Sequence, residues 1–356
     1  MRGKRLSFGL RAALAICTVT VFVTTTCVAT ESVLHNFNDN DKDGYNPIAG
    51  LIFDASGNLY GTTKEGGAFG LGTVFELTPK AGGGWTETVL HNFNGNGEDG
   101  AYPVASMILD ASGNLYGTTL EYGVFGLGTV FELTPQTGGG WKEKVLLSFN
   151  DHGGAYPAAS LILDASGNLY GTTYEGGAFG VGTVFELTPK TGGGWKEKVL
   201  HDFNNNGKDG SYPEAGLIFD DTGNLYGTTY GGGAYNVGAL FGLTPKASGG
   251  WAEKILHNFN DSGKDGAYPV AGLIVDTSGN LYGTTYGGAF GLGTAFELTP
   301  NAGGGWKEKI LHSFNDNGKG GNHPQASLVF DAAGNLYSTT YDGGAYGDGT
   351  VFEITP

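Results

Sequence analysis

Cysteine, arginine and long apolar runs are confined to the first 29 of the 356 residues. Both cysteines, Cys17 and Cys27, and every arginine, Arg2, Arg5 and Arg11, lie there. The rest of the chain has no thiol to oxidise, so disulfides are excluded and packing must supply its stability. Cations are scarce as well. Beyond Ala29 there are 15 lysines against 35 acidic residues, a formal charge of −20. A surface this acidic repels nucleic-acid phosphates and anionic lipid, because binding either needs clustered Lys or Arg. No later stretch approaches membrane-spanning length, and Thr355-Pro356 carries no sorting tail, so the product is expected to be released or held by something else.

Arg2, Lys4, Arg5 and Arg11 precede an apolar run from Ala12 to Val23, and small residues flank Val28 in Cys27-Val28-Ala29. That layout predicts a secretory signal over 1–29, cleaved after Ala29, with a single domain over 30–356. A lipid anchor at Cys27 is the rival reading. Thr24-Thr25-Thr26 lacks the apolar and small residues usual before a lipidated cysteine.

What the chain has in abundance is glycine, 67 residues, and repetition. Asp-x-x-Gly-Asn-Leu-Tyr starts at Asp54, Asp110, Asp164, Asp220, Asp276 and Asp331. A period of that size, about 56 residues, indicates a solenoid, propeller or array. The glycines lie between apolar runs instead of replacing them, as in short strands joined by tight turns.

In the first unit, Pro47 to Asp54 ends in a continuous apolar run expected of a buried innermost strand. Asp54 to Asn58 is a turn, in which Asp bonds its own backbone and Gly57 tolerates positive φ. Leu59 to Thr63 is a second strand and Thr73 to Thr78 a third, stopped by Pro79. Trp85 to Phe93 is the outermost. Four antiparallel strands make one propeller blade. Ser32 to Phe37 reads as an outer strand with nothing before it, and Thr350 to Ile354 as a third strand with nothing after it. The expectation is an all-β, six-bladed propeller of four-stranded blades. Its ring would be closed by the N-terminal strand, acting as outer strand of the last blade.

The run Pro-x-Ala-Gly-Leu-Ile-Phe-Asp-x-x-Gly-Asn-Leu-Tyr-Gly-Thr-Thr, followed by Gly-Gly-Ala-x-Gly-x-Gly-Thr-Val-Phe-Glu-Leu-Thr-Pro, resembles the GloVer-type tandem repeat of bacterial secreted choice-of-anchor repeat proteins. It covers essentially everything beyond the leader. The resemblance implies a secreted or surface-located protein and brings no catalytic residues.

If the blades run from inner to outer strand, the loops entering each blade and those joining its second and third strands share one face. Tyr45, Tyr102, Tyr156, Tyr212 and Tyr268 recur in the entering loops, with His323 in the sixth. Phe69, Phe125, Phe179, Tyr235, Phe290 and Tyr346 recur in the others, joined by Tyr174, Tyr230, Tyr286 and Tyr341. Aromatic platforms amid Asn, Asp and Gly suit sugars; the alternative is that they staple the loops to the blades. Asp39-x-Asp41-x-Asp43-Gly44 could wrap Ca2+, though Gly50 stands where a bidentate Glu belongs, and a solvated acidic turn is the competing reading. His35, His91, His201, His257 and His312 share one outer-strand position, with Leu147 in the other blade, and are too far apart to converge on one ion.

No nucleophile elbow, zinc-protease helix, phosphate loop or cysteine pair is present. The copies disagree most usefully at Glu214 and Gln325, near the channel mouth, where other blades have Ile48, Val104, Ala158 and Val270. The chain is therefore expected to be a secreted, monomeric binding module for an extracellular glycan or protein. A hydrolase or lyase at the channel mouth and a structural surface component are the alternatives.

Overall fold

The computed structural model describes residues 32–38, 40, 42–263, 265–303, 305–315 and 320–356, and Leu34–Pro356 forms one compact unit. The expected signal segment, and Asp39 and Asp41 of the expected calcium loop, lie outside the described residues. No helix among the described residues is long and apolar enough to cross a membrane.

Each aspartate turn reverses the chain as its sequence dictates. Asp110 Oδ1 accepts from the Ser112 and Asn114 N–H groups at 2.8 and 2.9 Å, and Gly113 takes φ 84°. The turn joins Ile108–Leu109 to Leu115–Thr119, which pairs with Thr129–Pro135, which pairs with the outer strand Trp141–Ser148. Five sheets have this antiparallel four-strand order. The innermost ladder is shorter than expected, two residues per blade, so Pro47 to Leu51 runs ahead of it without strand pairing. Between third and outer strands the register shifts once in every complete blade, at Val74/Phe75 and its equivalents. That bulge falls immediately before the recurrent histidine position of the outer strand, where it re-aims the side chain.

The core lies between blades. Tyr60 of blade 1 is buried with Met107, Leu115, Phe131 and Leu133 of blade 2. Phe93, just past the outer strand of blade 1, meets Phe131 edge-to-face at 5.2 Å. Phe93 and Phe131 are fully enclosed, each worth roughly 2–3 kcal/mol of burial. The Phe93 N–H donates to the Gly72 carbonyl, and Phe149, Phe203, Phe259 and Phe314 repeat that bond at the next four junctions. Six such units stack into a six-bladed β-propeller.

The sixth blade corrects the expected closure. Its sheet has three strands, Val329–Phe330, Leu336–Thr340 and Thr350–Ile354. Among the described residues the N-terminal segment forms no ladder with Thr350–Ile354, and Val351 is 80% exposed. Leu34 and Phe37 instead pack on Leu59, Phe75, Leu77 and Trp85 of blade 1. Phe37 meets Phe75 at 5.1 Å, just as Phe93 meets Phe131. The segment thus takes the packing of an outer strand without its backbone pairing, since apolar side chains can be satisfied on one neighbour alone.

Candidate functional site

Short ladders confirm that two loop sets share a face. Gly44–Tyr45 pairs with Glu65–Gly66 and Gly100–Ala101 with Glu121–Tyr122, each joining an entering loop to the loop after the second strand. In these ladders Tyr45 opposes Glu65 as Ala101 opposes Glu121, so Asn46, not Tyr45, holds the place of Tyr102. Tyr45 therefore stands one residue outside the recurrent position assigned to it.

At that position the backbone is held in the left-handed region: φ is 58°, 57°, 58° and 57° at Tyr102, Tyr156, Tyr212 and Tyr268, 53° at His323 and 57° at Asn46. Bulky residues rarely adopt it, least of all before proline. The cause is a double tie. The Tyr212 N–H donates to the Val181 carbonyl of the preceding blade, while its own carbonyl accepts from the Tyr230 N–H. The rings also pair across junctions. Tyr174 lies against Tyr212, and Tyr230 against Tyr268, with centroids 5.1 Å apart, and Tyr286 stacks on His323 at 4.4 Å. His323 further places Nδ1 2.9 Å from Asp342 Oδ1 and Nε2 3.2 Å from the Gly291 carbonyl. Tyr341, the equivalent ring of blade 6, is exposed.

A cavity of about 490 Å3 opens at the ring centre, lined by Ile48, Val104, Ala158, Glu214, Val270 and Gln325, one residue from each blade, with Leu120 and Tyr174. The structure brings Glu214 and Gln325 to the same mouth as their four apolar counterparts. Glu214 is the one carboxylate in that lining, and burial raises its carboxyl above the ordinary range. Burial, and then Glu214, push the Tyr174 and Tyr230 hydroxyls up. Phe69, Phe125, Phe179, Tyr235, Phe290 and Tyr346, one per blade on the loops after the second strand, are 58–94% exposed. In four blades the preceding N–H, as of Ala68, is tied to a side chain at the end of the outer strand, here Asn92.

A second constellation lies at the blade junctions. His91 Nε2 is 3.1 Å from Asp99 Oδ2, and Glu143 of the next blade completes the group. His35, Asp43 and Glu87 repeat it, as do His201, Asp209 and Glu253, and His257, Asp265 and Glu308. The ligand atoms within each group lie within 4.8 Å of one another. Asp43, the described member of the expected calcium loop, thus faces His35 at 3.0 Å and accepts from the Asn38 and Gly44 N–H groups. Burial, and then Asp99, push the Glu143 carboxyl up to about 7; burial and Asp265 raise Glu308 as well. Each group contains a single histidine, and four of the five recurrent histidines, His35, His91, His201 and His257, have carboxylate partners of their own. The available signal was the constant separation of eight residues from His35 to Asp43, His91 to Asp99, His201 to Asp209 and His257 to Asp265.

The fold is similar to that of a luciferin-regenerating enzyme, with TM-score 0.52 and 15% identity over 88% of this chain and 92% of that one. It is also similar to an ancestral GH74 enzyme, with TM-score 0.55 and 11% identity over 86% of this chain; this chain spans 41% of that one. A putative oxidoreductase (glucose dehydrogenase) from Thermus thermophilus aligns with TM-score 0.49 and 17% identity, over 88% and 97% of the two chains. At these identities the first two likenesses show the fold alone. No curated protein matches the sequence. The model of the Gloeobacter/Verrucomicrobia repeat matches residues 16–220 and 194–356, nearly the whole chain. The repeat resemblance read from the sequence is therefore borne out, and the chain belongs to the Gloeobacter/Verrucomicrobia repeat family.

Proposed function

We propose that the protein is a binding module that works outside the cell, taking an extracellular carbohydrate on its loop face. One observation carries this reading: six exposed aromatic rings at one loop position, one per blade, on the loops of the face where the central cavity opens. Exposed apolar groups gathered on one face mark interaction sites, and flat rings beside polar groups suit pyranose faces. The acidic chain disfavours anionic glycans, so neutral ones are the expected class. Glu214 and Gln325 would accept from and donate to hydroxyls at the mouth.

The test is a neutral-glycan array probed with folded protein, repeated with Phe125→Ala/Phe179→Ala. Binding that drops at least tenfold in the double variant supports the reading. Folded protein without signal on any neutral glycan sinks it. A hydrolase or lyase is the second reading, favoured by the raised carboxyl of Glu214, which suits a general acid. It requires turnover of a bound glycan that Glu214→Gln abolishes while binding persists.

A further inference from the structure

The four junction groups share a feature that a hydrogen-bonded cross-link does not explain. In each, the Glu Oε1 atom, of Glu87, Glu143, Glu253 and Glu308, is buried and has no hydrogen-bond partner, although a histidine and a buried aspartate stand beside it. Leaving a buried carboxylate oxygen unpaired is costly. Glu197 Oε1, at the same strand position in the blade that follows Leu147, is orphaned too, so what sets the four junctions apart is the histidine and the aspartate that face the glutamate there. The surroundings are prepared. The Asp99 and Asp265 carboxylates are fixed by the N–H groups of Gly100 and Gly266 at 2.8 and 2.7 Å. The His91 ring is oriented edge-to-face by Phe93 at 4.8 Å, and the other three histidines are held the same way. A cavity of about 320 Å3, lined by His91, Asp99 and Glu143 among others, gives entry from solvent.

We propose that these four blade junctions are binding sites for a first-row divalent cation, with zinc the best fit, each holding it by His Nε2, Asp Oδ2 and Glu Oε1. One imidazole and two carboxylates suit zinc, whereas calcium prefers oxygen ligands throughout. Ligands about 2.0 Å from a tetrahedral zinc stand roughly 3.3 Å apart. The His–Asp pairs at 3.0–3.1 Å and, at one junction, the His257–Glu308 separation of 3.5 Å bracket that value; at the others the glutamate oxygen lies within 4.8 Å of the pair and would close in on the ion. On binding, the ion replaces any proton carried on Nε2 and leaves the fourth position open to water through the cavity. Three of the ions would bridge two blades, and the fourth would tie the N-terminal segment to blade 1. The other two junctions serve as internal controls. Leu147 replaces the histidine before Glu197, and Gly320 stands eight residues after His312, where the aspartate would be. The chain itself therefore shows that a junction folds without the set.

The experiment uses protein purified without a histidine tag, stripped with EDTA and dialysed against zinc, with bound metal counted by mass spectrometry and melting followed in parallel. The expected result is four zinc ions per chain, three for Glu143→Gln, three for His91→Leu, which copies the blade that has Leu147, and four for Glu197→Gln. The melting temperature should rise with zinc. No zinc bound to folded protein, a count unchanged in both Glu143→Gln and His91→Leu, or binding of calcium but not zinc would each overturn the proposal.

Discussion

Asp110 accepts four hydrogen bonds: two backbone bonds at Oδ1, and at Oδ2 one from Asn114 Nδ2 at 2.9 Å and one from the Tyr116 hydroxyl at 3.2 Å. Burial disfavours its charge, but the bonds from Asn114 and Ser112 outweigh that and hold the carboxyl below its ordinary value. The same holds at Asp54, Asp164, Asp220, Asp276 and Asp331. A folded-state value below the unfolded one, about 3.9, means that this stabilisation is fully present above roughly pH 4 and fades as pH falls through the lowered value. Six aspartates should therefore give a steep acid limb. Asp110→Asn keeps the turn's shape but leaves the Oδ2 donors poorly matched, so it should cost about 1–2 kcal/mol at pH 7. Urea unfolding at pH 7 and pH 3 should show that deficit shrinking toward acid. An undiminished deficit at pH 3 would contradict the assignment. Tyr116, whose hydroxyl also lies 3.1 Å from Glu132 Oε1, is raised by burial and the two carboxylates, so it remains a neutral donor and not a nucleophile.

At the scale of the strand, one small residue sets how closely the core can pack. A Cβ on Gly117 would stand 2.6 Å from the Phe131 ring, and Gly61, Gly171, Gly227 and Gly283 back onto their own phenylalanines in the same way. The sixth blade has Ser338 there, with its hydroxyl donating to the Ala326 and Ser327 carbonyls at 3.1 Å. Gly117→Ser should therefore cost roughly 1–3 kcal/mol through overpacking, while Ser338→Gly should change stability by less than about 1 kcal/mol. Chemical denaturation of both variants separates the cases, and equal effects would contradict the packing argument. The strands themselves were legible because Leu-Tyr-Gly-Thr-Thr and Thr-Val-Phe-Glu-Leu-Thr-Pro, or close variants of them, are bounded by glycine and proline from copy to copy. Two details were not. The inner ladder of two residues depends on where the blade leaves the ring centre, which apolar composition does not encode. The offset of Tyr45 from Asn46 is a one-residue register matter that a shared aromatic letter conceals. The junction carboxylates escaped for a different reason: Glu143 joins His91 and Asp99 only when the next blade is stacked, so no single repeat contains the set.

For the molecule as a whole, repetition explains five junctions and leaves the sixth distinct. At the five, the N–H of the phenylalanine just past the outer strand reaches a glycine carbonyl of its own blade's loop, and the next entering loop ties back to the blade before it. Pro103, Pro157, Pro213, Pro269 and Pro324 are buried there, whereas Pro47 is exposed, as are Leu51 and Phe53. Between blades 6 and 1, Phe37 and Asn46 have no such backbone partners among the described residues. An unpaired edge at Thr350–Ile354 is a ready template for another strand, so this junction should be the least stable part of the ring. Local opening should begin there and propagate, because each blade contacts mainly its neighbours. Hydrogen exchange resolves the question residue by residue. The Phe93, Phe149, Phe203, Phe259 and Phe314 amides should be protected to near the global unfolding limit, and the Phe37 amide should exchange with little protection. Phe93→Ala should cost about 3–5 kcal/mol, and Phe37→Ala, only half-buried, clearly less. A Phe37 amide as slow as the other five, together with an equal penalty for Phe37→Ala, would mean that the N-terminal segment pairs with Thr350–Ile354 in solution and that the ring is closed as its strand phasing anticipates.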